Sequence, residues 1–185
     1  MKAIILAAGR GSRLGNYTKE LPKALVDING KSLIERQIHL FQKNNITQII
    51  IVRGYMKEKF NLDNIQFIDD DDYTNHDQLG SLMAAQEKIS GEVLISFADL
   101  VFDENILQQI LDVNEDISLA LDLDWQKKYD GQENNQFPAL AEIENNRIIR
   151  LSEKEDLVRN NFCAEFFGIL KLSSRGSEIL NEIIN

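Results

Sequence analysis

The chain has 185 residues, 43% of them hydrophobic, enough for one ordinary core or one core with a small lobe. Its formal net charge of −10 argues against nucleic acid or an anionic membrane as partner, since both reward a basic surface. A lone cysteine, Cys163, excludes an internal disulfide framework and a cysteine-based zinc cluster. No apolar run approaches the ~20 residues that cross a bilayer, and Met1-Lys2 leads straight into a strand-like run, so a cytoplasmic location is expected.

Ala3–Leu6 is a short apolar strand, followed by the glycine-rich, cationic stretch LAAGRGSRLGNYTKELPK of residues 6–23. Ser32-Leu33-Ile34-Glu35 has the form of a capping box, and Leu33, Ile34, Ile38 and Phe41 recur at helical spacing behind it. Gln48–Val52 reads as a strand buried on both faces, and Ile65–Ile68 as a short third strand. A helix over Gly80–Ile89, a strand over Glu92–Phe97 and a helix over Glu104–Leu111 follow. Strand alternating with helix implies a mostly parallel sheet covered on both sides.

From Ile117 the texture changes. Ile117–Leu123 is a strand, Trp125–Phe137 is polar, and strands at Ala139–Glu144 and Arg147–Ser152 flank a hairpin turn at Asn145-Asn146. Ala164–Leu172 is another strand before a last helix. The expected fold is α/β, with a nucleotide-binding core over residues 1–115 and a smaller β-rich acceptor-side region over 116–185 in a single domain. The acidic run Asp69–Asp72 reads as a solvated loop edge rather than a metal site. His39 and His76 read as structural or solvent-facing.

The loop after the first strand fits neither common phosphate-loop signature. Gly30-Lys31-Ser32 carries the P-loop letters, but Leu25 stands where that motif needs its first glycine. Gly9 and Gly11 begin a dinucleotide fingerprint, but Leu14 holds the third position and Gly15 comes one residue late. A phosphate site remains coherent nonetheless. Gly9 and Gly11 permit positive φ and let backbone N–H groups face an anion, while Arg10, Arg13, Lys19 and Lys23 supply cations. Arg13 offers a forked donor and Lys23 a compact charge, with Pro22 fixing the backbone just ahead of it. Ligands of such sheets bind at strand C-terminal ends, where this loop lies.

LAAGRGSRL, then ELPKAL and GKSLIERQI, resembles the N-terminal signature of the nucleotidyltransferases that activate sugar 1-phosphates, phosphocholine or phosphonates. The resemblance implies the MobA-like NTP transferase fold: a Rossmann-like sheet sandwiched by helices, with a small acceptor-binding lobe. It implies nucleotide contacts from Leu6, Ala7, Ala8, Gly9, Gly11, Ser12 and Arg13, and from Gln78, Gly80 and Ser81 near the base. It also implies Mg²⁺ as cofactor, held by Asp99 at the end of the EVLISF strand, and catalytic roles for Arg13, Lys23 and, on Ser152-Glu153-Lys154, Lys154. Ile95–Phe102, Asp122–Trp125 and Ala164–Ser173 are most similar to the phosphonate and phosphocholine cytidylyltransferase branch. That branch implies an acceptor near Trp125, Tyr129 and Glu165, with CTP as donor. A sugar-1-phosphate nucleotidylyltransferase using UTP, dTTP or CTP and a nucleotide-binding module without turnover stay open as alternatives. The family places a second metal carboxylate beyond the strand matched by Ala164–Ser173. The sequence ends at Asn185 with no later aspartate, so a C-terminally shortened chain, an incomplete metal site or a substitute acid is expected.

Overall fold

The computed structural model describes residues 1–129, 138–152 and 162–184, the side chains of residues 128 and 129 excepted. In chain order the strands are β1 (Lys2–Ala7), β2 (Asp27–Ile28), β3 (Lys31–Ser32), β4 (Gln48–Arg53), β5 (Gln66–Asp69), β6 (Val93–Phe97), β7 (Ile117–Asp122), β8 (Leu140–Glu144), β9 (Arg147–Ser152) and β10 (Cys163–Leu172). The helices are α1 (Leu33–Lys43), α2 (Gln78–Ala84), α3 (Glu104–Leu111), α4 (Gln126–Tyr129) and α5 (Ser174–Ile184). The chain divides into two units, Met1–Ser118 with Leu170–Asn185, and Leu119–Ile169.

The first unit is built on a parallel sheet ordered β5-β4-β1-β6. Ile4 of β1 stands opposite Ile50 of β4 and Ile95 of β6. Ile4, Ile5, Ile50, Ile51 and Val52 are all fully buried, which is why these segments read as continuous β-branched runs rather than alternating ones. Each such side chain contributes roughly 2 kcal/mol of burial. On one face Leu82, Ala85 and Ile89 from α2 and the turn after it pack against Leu6, Val52 and Ile95.

The capping box forms as read from the sequence. The Ser32 hydroxyl accepts from the Glu35 N–H, and the Glu35 carboxylate accepts from the Ser32 N–H at 2.8 Å. These bonds hold the Glu35 carboxyl below its usual range. At α3, Asp103 caps the start by accepting from the Ile106 N–H, and Lys171 caps the end, its ammonium donating to the carbonyls of Leu111 and Val113.

Gln37 of α1 ties helix to sheet at the place that matters for the site. Its side chain is 2% exposed; the amide N–H₂ donates to the carbonyls of Phe97 and Leu100, and its oxygen accepts from the Ser96 hydroxyl. The turn that follows β6 and carries Asp99 is therefore fastened from beneath.

The second unit is antiparallel where its pairings are described: β8 pairs with β9 and with β10. Asn145 and Asn146 both take positive φ (49° and 62°), the conformation of a two-residue hairpin turn. Trp125 is 6% exposed and packs with Leu140 and Cys163.

The expected α/β class holds: the pairings of β5-β4-β1-β6 in the first unit are parallel, and those of β8 with β9 and β10 are antiparallel. Two elements depart from expectation. The Gly80–Ile89 helix starts earlier, at Gln78, and gives way to a 3-10 turn at Gln86–Lys88. Gly30-Lys31-Ser32, which carries the P-loop letters, belongs to a hairpin not expected from the sequence: Asn29 and Gly30 turn with φ of 54° and 84° and pair β2 with β3.

Replacing Gln37 by Leu leaves two carbonyls and the buried Ser96 hydroxyl without their partner. The expected cost is about 2 kcal/mol of stability in urea denaturation.

Candidate functional site

A cleft of about 370 Å³ opens at the C-terminal ends of β1 and β6, wholly within the first unit. One side is Leu6, Ala7 and Ala8 with the loop residues Gly9, Gly11, Ser12 and Arg13. Lys23 and Ala24 approach from the turn after Pro22, and Phe97, Ala98 and Asp99 from the end of β6. Tyr73, His76, Asp77, Gln78 and Ser81 form the opposite wall.

The loop conformation depends on Gly11. Its φ is +71°, a region costly for a side chain, and it caps the 3-10 segment Ser12–Thr18. A Cβ at Gly11 would lie 2.6 Å from the Lys23 Cβ, so this glycine also clears the path of the lysine. Gly9, expected to share the role, lacks positive φ and has open space around it. Only one of the two glycines carries the turn.

Lys23 and Asp99 meet. The lysine Nζ donates to Asp99 Oδ2 at 2.6 Å, joining two segments seventy-six residues apart at the cleft. Their side chains are 32% and 39% exposed, so the contact is open to solvent and to ligands. Of the four expected cations, Arg13 and Lys23 line the cleft; Arg10 instead lies over the Tyr55 ring at 5.4 Å. The Tyr55 hydroxyl lies 3.0 Å from the Lys19 carbonyl and 3.3 Å from that of Thr18, either of which can accept its one hydrogen, and the Thr18 hydroxyl donates to the Gly11 carbonyl at 2.9 Å, bracing the loop from behind.

The far wall rests on Asp70, and here the acidic run departs from its expected solvated role. Asp70 is 3% exposed, accepting from the Ser81 hydroxyl at 2.7 Å and lying 3.1 Å from His76 Nε2. Asp69 pairs with Arg53 and Lys57, and Asp71 with Lys57. His76 likewise lines the cleft rather than facing only solvent, and its pKa is raised by the hydrogen bond to the Asp77 carbonyl and by Asp70. Tyr73 seats its ring on Gly54, where a Cβ would stand 2.7 Å away.

Of the residues expected at a nucleotide, Gln78 and Ser81 line the cleft with the loop, while Gly80 lies behind them under the His76 ring. Tyr73, His76, Asp77 and Phe97 line it without having been expected there. Trp125, Tyr129 and Glu165 belong to the second unit. Trp125, expected at an acceptor, is packed into that unit and donates its indole N–H to the Cys163 carbonyl at 3.3 Å. Glu165 stands half-buried on β10 opposite Leu140. Lys154 and the Tyr129 side chain lie outside the described residues. Asp99 is the expected metal carboxylate; among the described residues no group of three or more potential ligands surrounds it or any other point.

The MobA-like NTP transferase domain matches residues 3–127. The chain belongs to that family. It is similar to the CTP:phosphoglutamine cytidylyltransferase of Campylobacter jejuni, 26% identical over all of this chain and 76% of that protein. It is also similar to the choline-phosphate cytidylyltransferase of Streptococcus pneumoniae, 39% identical over 55% of this chain and 46% of that protein. The chain thus spans about three quarters of the first relative's length, and its match takes in less than half of the second's. The solved structure of a CTP:phosphocholine cytidylyltransferase from Streptococcus pneumoniae shares the fold, with a TM-score of 0.72 at 23% identity over 99% of this chain and 75% of that one.

Substituting Ala at Gly11 meets both the left-handed backbone and the lysine stem, and should cost about 2 kcal/mol by urea denaturation. The same change at Gly9 should stay within about 0.5 kcal/mol. Equal costs at the two positions would refute the division of labour between them.

Proposed function

We propose that the cleft binds a nucleoside triphosphate, CTP in preference, and transfers its nucleotidyl group to a small phosphate or phosphonate acceptor. The observation that carries this reading is the meeting of Lys23 and Asp99 beside the Gly9–Arg13 loop, at the strand ends of a nucleotidyltransferase fold. The cytidylyl specificity of relatives at 26% and 39% identity supports CTP. A phosphocholine-like acceptor is supported by the second of these relatives, and a 2-aminoethylphosphonate-like one by the sequence resemblance.

In the reaction, an acceptor oxygen forms a bond to the α-phosphorus and the bond from that phosphorus to the β-bridging oxygen breaks. Pyrophosphate leaves with the electron pair. A phosphate monoester has its second pKa near ~6, so the nucleophile is largely ionised at neutral pH and no general base is needed. Catalysis then rests on alignment and charge neutralisation. Arg13 binds the β- and γ-phosphates, and the N–H groups of the loop face the triphosphate. Lys23 leaves Asp99 to span the α-phosphate and the acceptor. Gln78 and Ser81 stand on the base side.

Asp99 suits Mg²⁺, a hard cation commonly held by one or two carboxylates together with substrate phosphates and water rather than by a protein cage. When bound, Mg²⁺ neutralises charge on the phosphate oxygens. Asp99, once Lys23 moves to the anion, is the residue that would hold it.

Lys23→Ala should lower turnover by about 100-fold or more while leaving the fold intact by circular dichroism; near-normal turnover would sink the assignment.

Pyrophosphate release measured across CTP, UTP and dTTP against phosphocholine, 2-aminoethylphosphonate and sugar 1-phosphates tests the whole reading. Release with CTP and an amine-bearing acceptor is expected. A preference for UTP and a sugar 1-phosphate would overturn the acceptor class, and nucleotide binding without release from any pair would overturn the transferase activity.

A further inference from the structure

The wall formed by His76 and Ser81 contains an arrangement that the transfer reaction does not itself require. Asp70, just past β5, is buried behind the cleft and holds two wall residues at once: the Ser81 hydroxyl donates to its Oδ2 at 2.7 Å, and His76 Nε2 lies 3.1 Å from its Oδ1. The other ring nitrogen of His76, Nδ1, lies 3.0 Å from the carbonyl oxygen of Asp77, the N-cap residue of α2. A carboxylate and a peptide carbonyl both only accept. A neutral imidazole has one N–H, so it can serve one of these partners and must turn a lone pair toward the other. Only the imidazolium donates to both.

The ring packs directly on a glycine. Gly80 lies beneath it, and a Cβ there would stand 2.2 Å from the ring carbon that carries the side chain. The charged groups facing the ring are Asp70 and Asp72 from the segment after β5, with Asp77 at the helix start supplying its carbonyl. Their combined effect outweighs burial and raises the pKa above the ordinary 6.5.

The geometry points to His76 as a positioning residue for the nucleotide: as an imidazolium it ties buried Asp70 to the first turn of α2 and so sets Gln78 and Ser81 on the pocket wall. This rests on the reading of the cleft as a nucleotide site. Because the folded pKa is raised, the tie is complete below the ordinary value and is lost as pH rises through the raised one. The terminal phosphate of the nucleotide ionises more fully in the same direction, but that effect is common to every variant. The comparison is therefore between proteins at one pH.

Two measurements on the full chain test this. Ring ¹⁵N shifts of His76 without nucleotide should show both nitrogens protonated at pH 5.5, below the ordinary value; a single neutral tautomer there overturns the inference. CTP affinity with Mg²⁺, by calorimetry, should then be compared for wild type, His76→Gln and Gly80→Ala at pH 6.5 and pH 9. At pH 6.5 the wild type should bind about threefold to fivefold more tightly than His76→Gln, the scale of a partly exposed charge contact, and about equally at pH 9. Gly80→Ala, which cannot seat the ring, should behave like His76→Gln. A wild-type advantage that is absent or unchanged between the two pH values overturns the positioning role. Failure of the wild type to bind CTP at either pH removes the nucleotide reading and the role with it, and protonated ring shifts would then mark a purely structural imidazolium.

Discussion

The contact between Lys23 and Asp99 is the constraint on which the rest of the site depends, and three features support it. Gly11 withholds a Cβ from the space that the lysine stem crosses. Pro22, at φ −57° and ψ 144°, sets the direction of the chain just before the lysine. Gln37 holds the carbonyls of Phe97 and Leu100, so the turn bearing Asp99 cannot drift along β6. A half-exposed ion pair contributes at most ~1 kcal/mol to stability. Three supports of this kind are out of proportion to that gain. They make sense if the two charges are held for other partners, an anion for the lysine and a cation for the carboxylate, with each neutralising the other until those arrive.

The opposite wall follows another design. A carboxylate as buried as Asp70 is expensive unless it is fully hydrogen-bonded. Ser81 and His76 supply those bonds, and both present their remaining surface to the cleft. Burial of one acid thus orders two wall residues. Neighbouring Asp69 does its work outward, with Arg53, whose guanidinium also lies 4.2 Å from the Phe67 ring centroid. Adjacent identical residues point into different environments because side chains alternate as β5 ends.

What the sequence made legible was local. The Ser32–Glu35 box, the β-branched runs of β1 and β4 and the bounds of α3 are written in short-range patterns, and they appear where those patterns place them. Asn29-Gly30 is an equally local signal, a two-residue hairpin turn of the common Asn-Gly kind. The residues that sequence reasoning missed are set by long-range packing. Nothing in DDDD says which acid is buried, since that depends on Ser81 arriving from α2. Nothing in LAAGRGS separates Gly9 from Gly11, because the difference is the Lys23 stem twelve residues beyond Gly11. Trp125, expected near an acceptor from the resemblance, donates its N–H to a backbone carbonyl and packs with Leu140 and Cys163, contacts fifteen and thirty-eight residues away in the chain.

Charge raises the remaining question: how a chain of net charge −10 could hold the triphosphate proposed for its cleft. Screening at physiological ionic strength acts over about 8 Å, so acids scattered over the surface matter less than the groups lining the cleft. Several surface acids are also spent locally, Asp69 and Asp71 on Arg53 and Lys57, Glu104 on Lys43 and Glu178 on Arg175. Within the cleft the cationic side chains are Arg13, Lys23 and a His76 with raised pKa, against the carboxylates of Asp77 and Asp99. The Asp77 carboxylate accepts from the Leu79 N–H at the start of α2, and the Asp99 carboxylate is paired with Lys23. Were a divalent cation held on Asp99, as proposed, it would free Lys23 from that pair to face the phosphates. The local balance can therefore favour a polyanion while the chain as a whole remains strongly acidic.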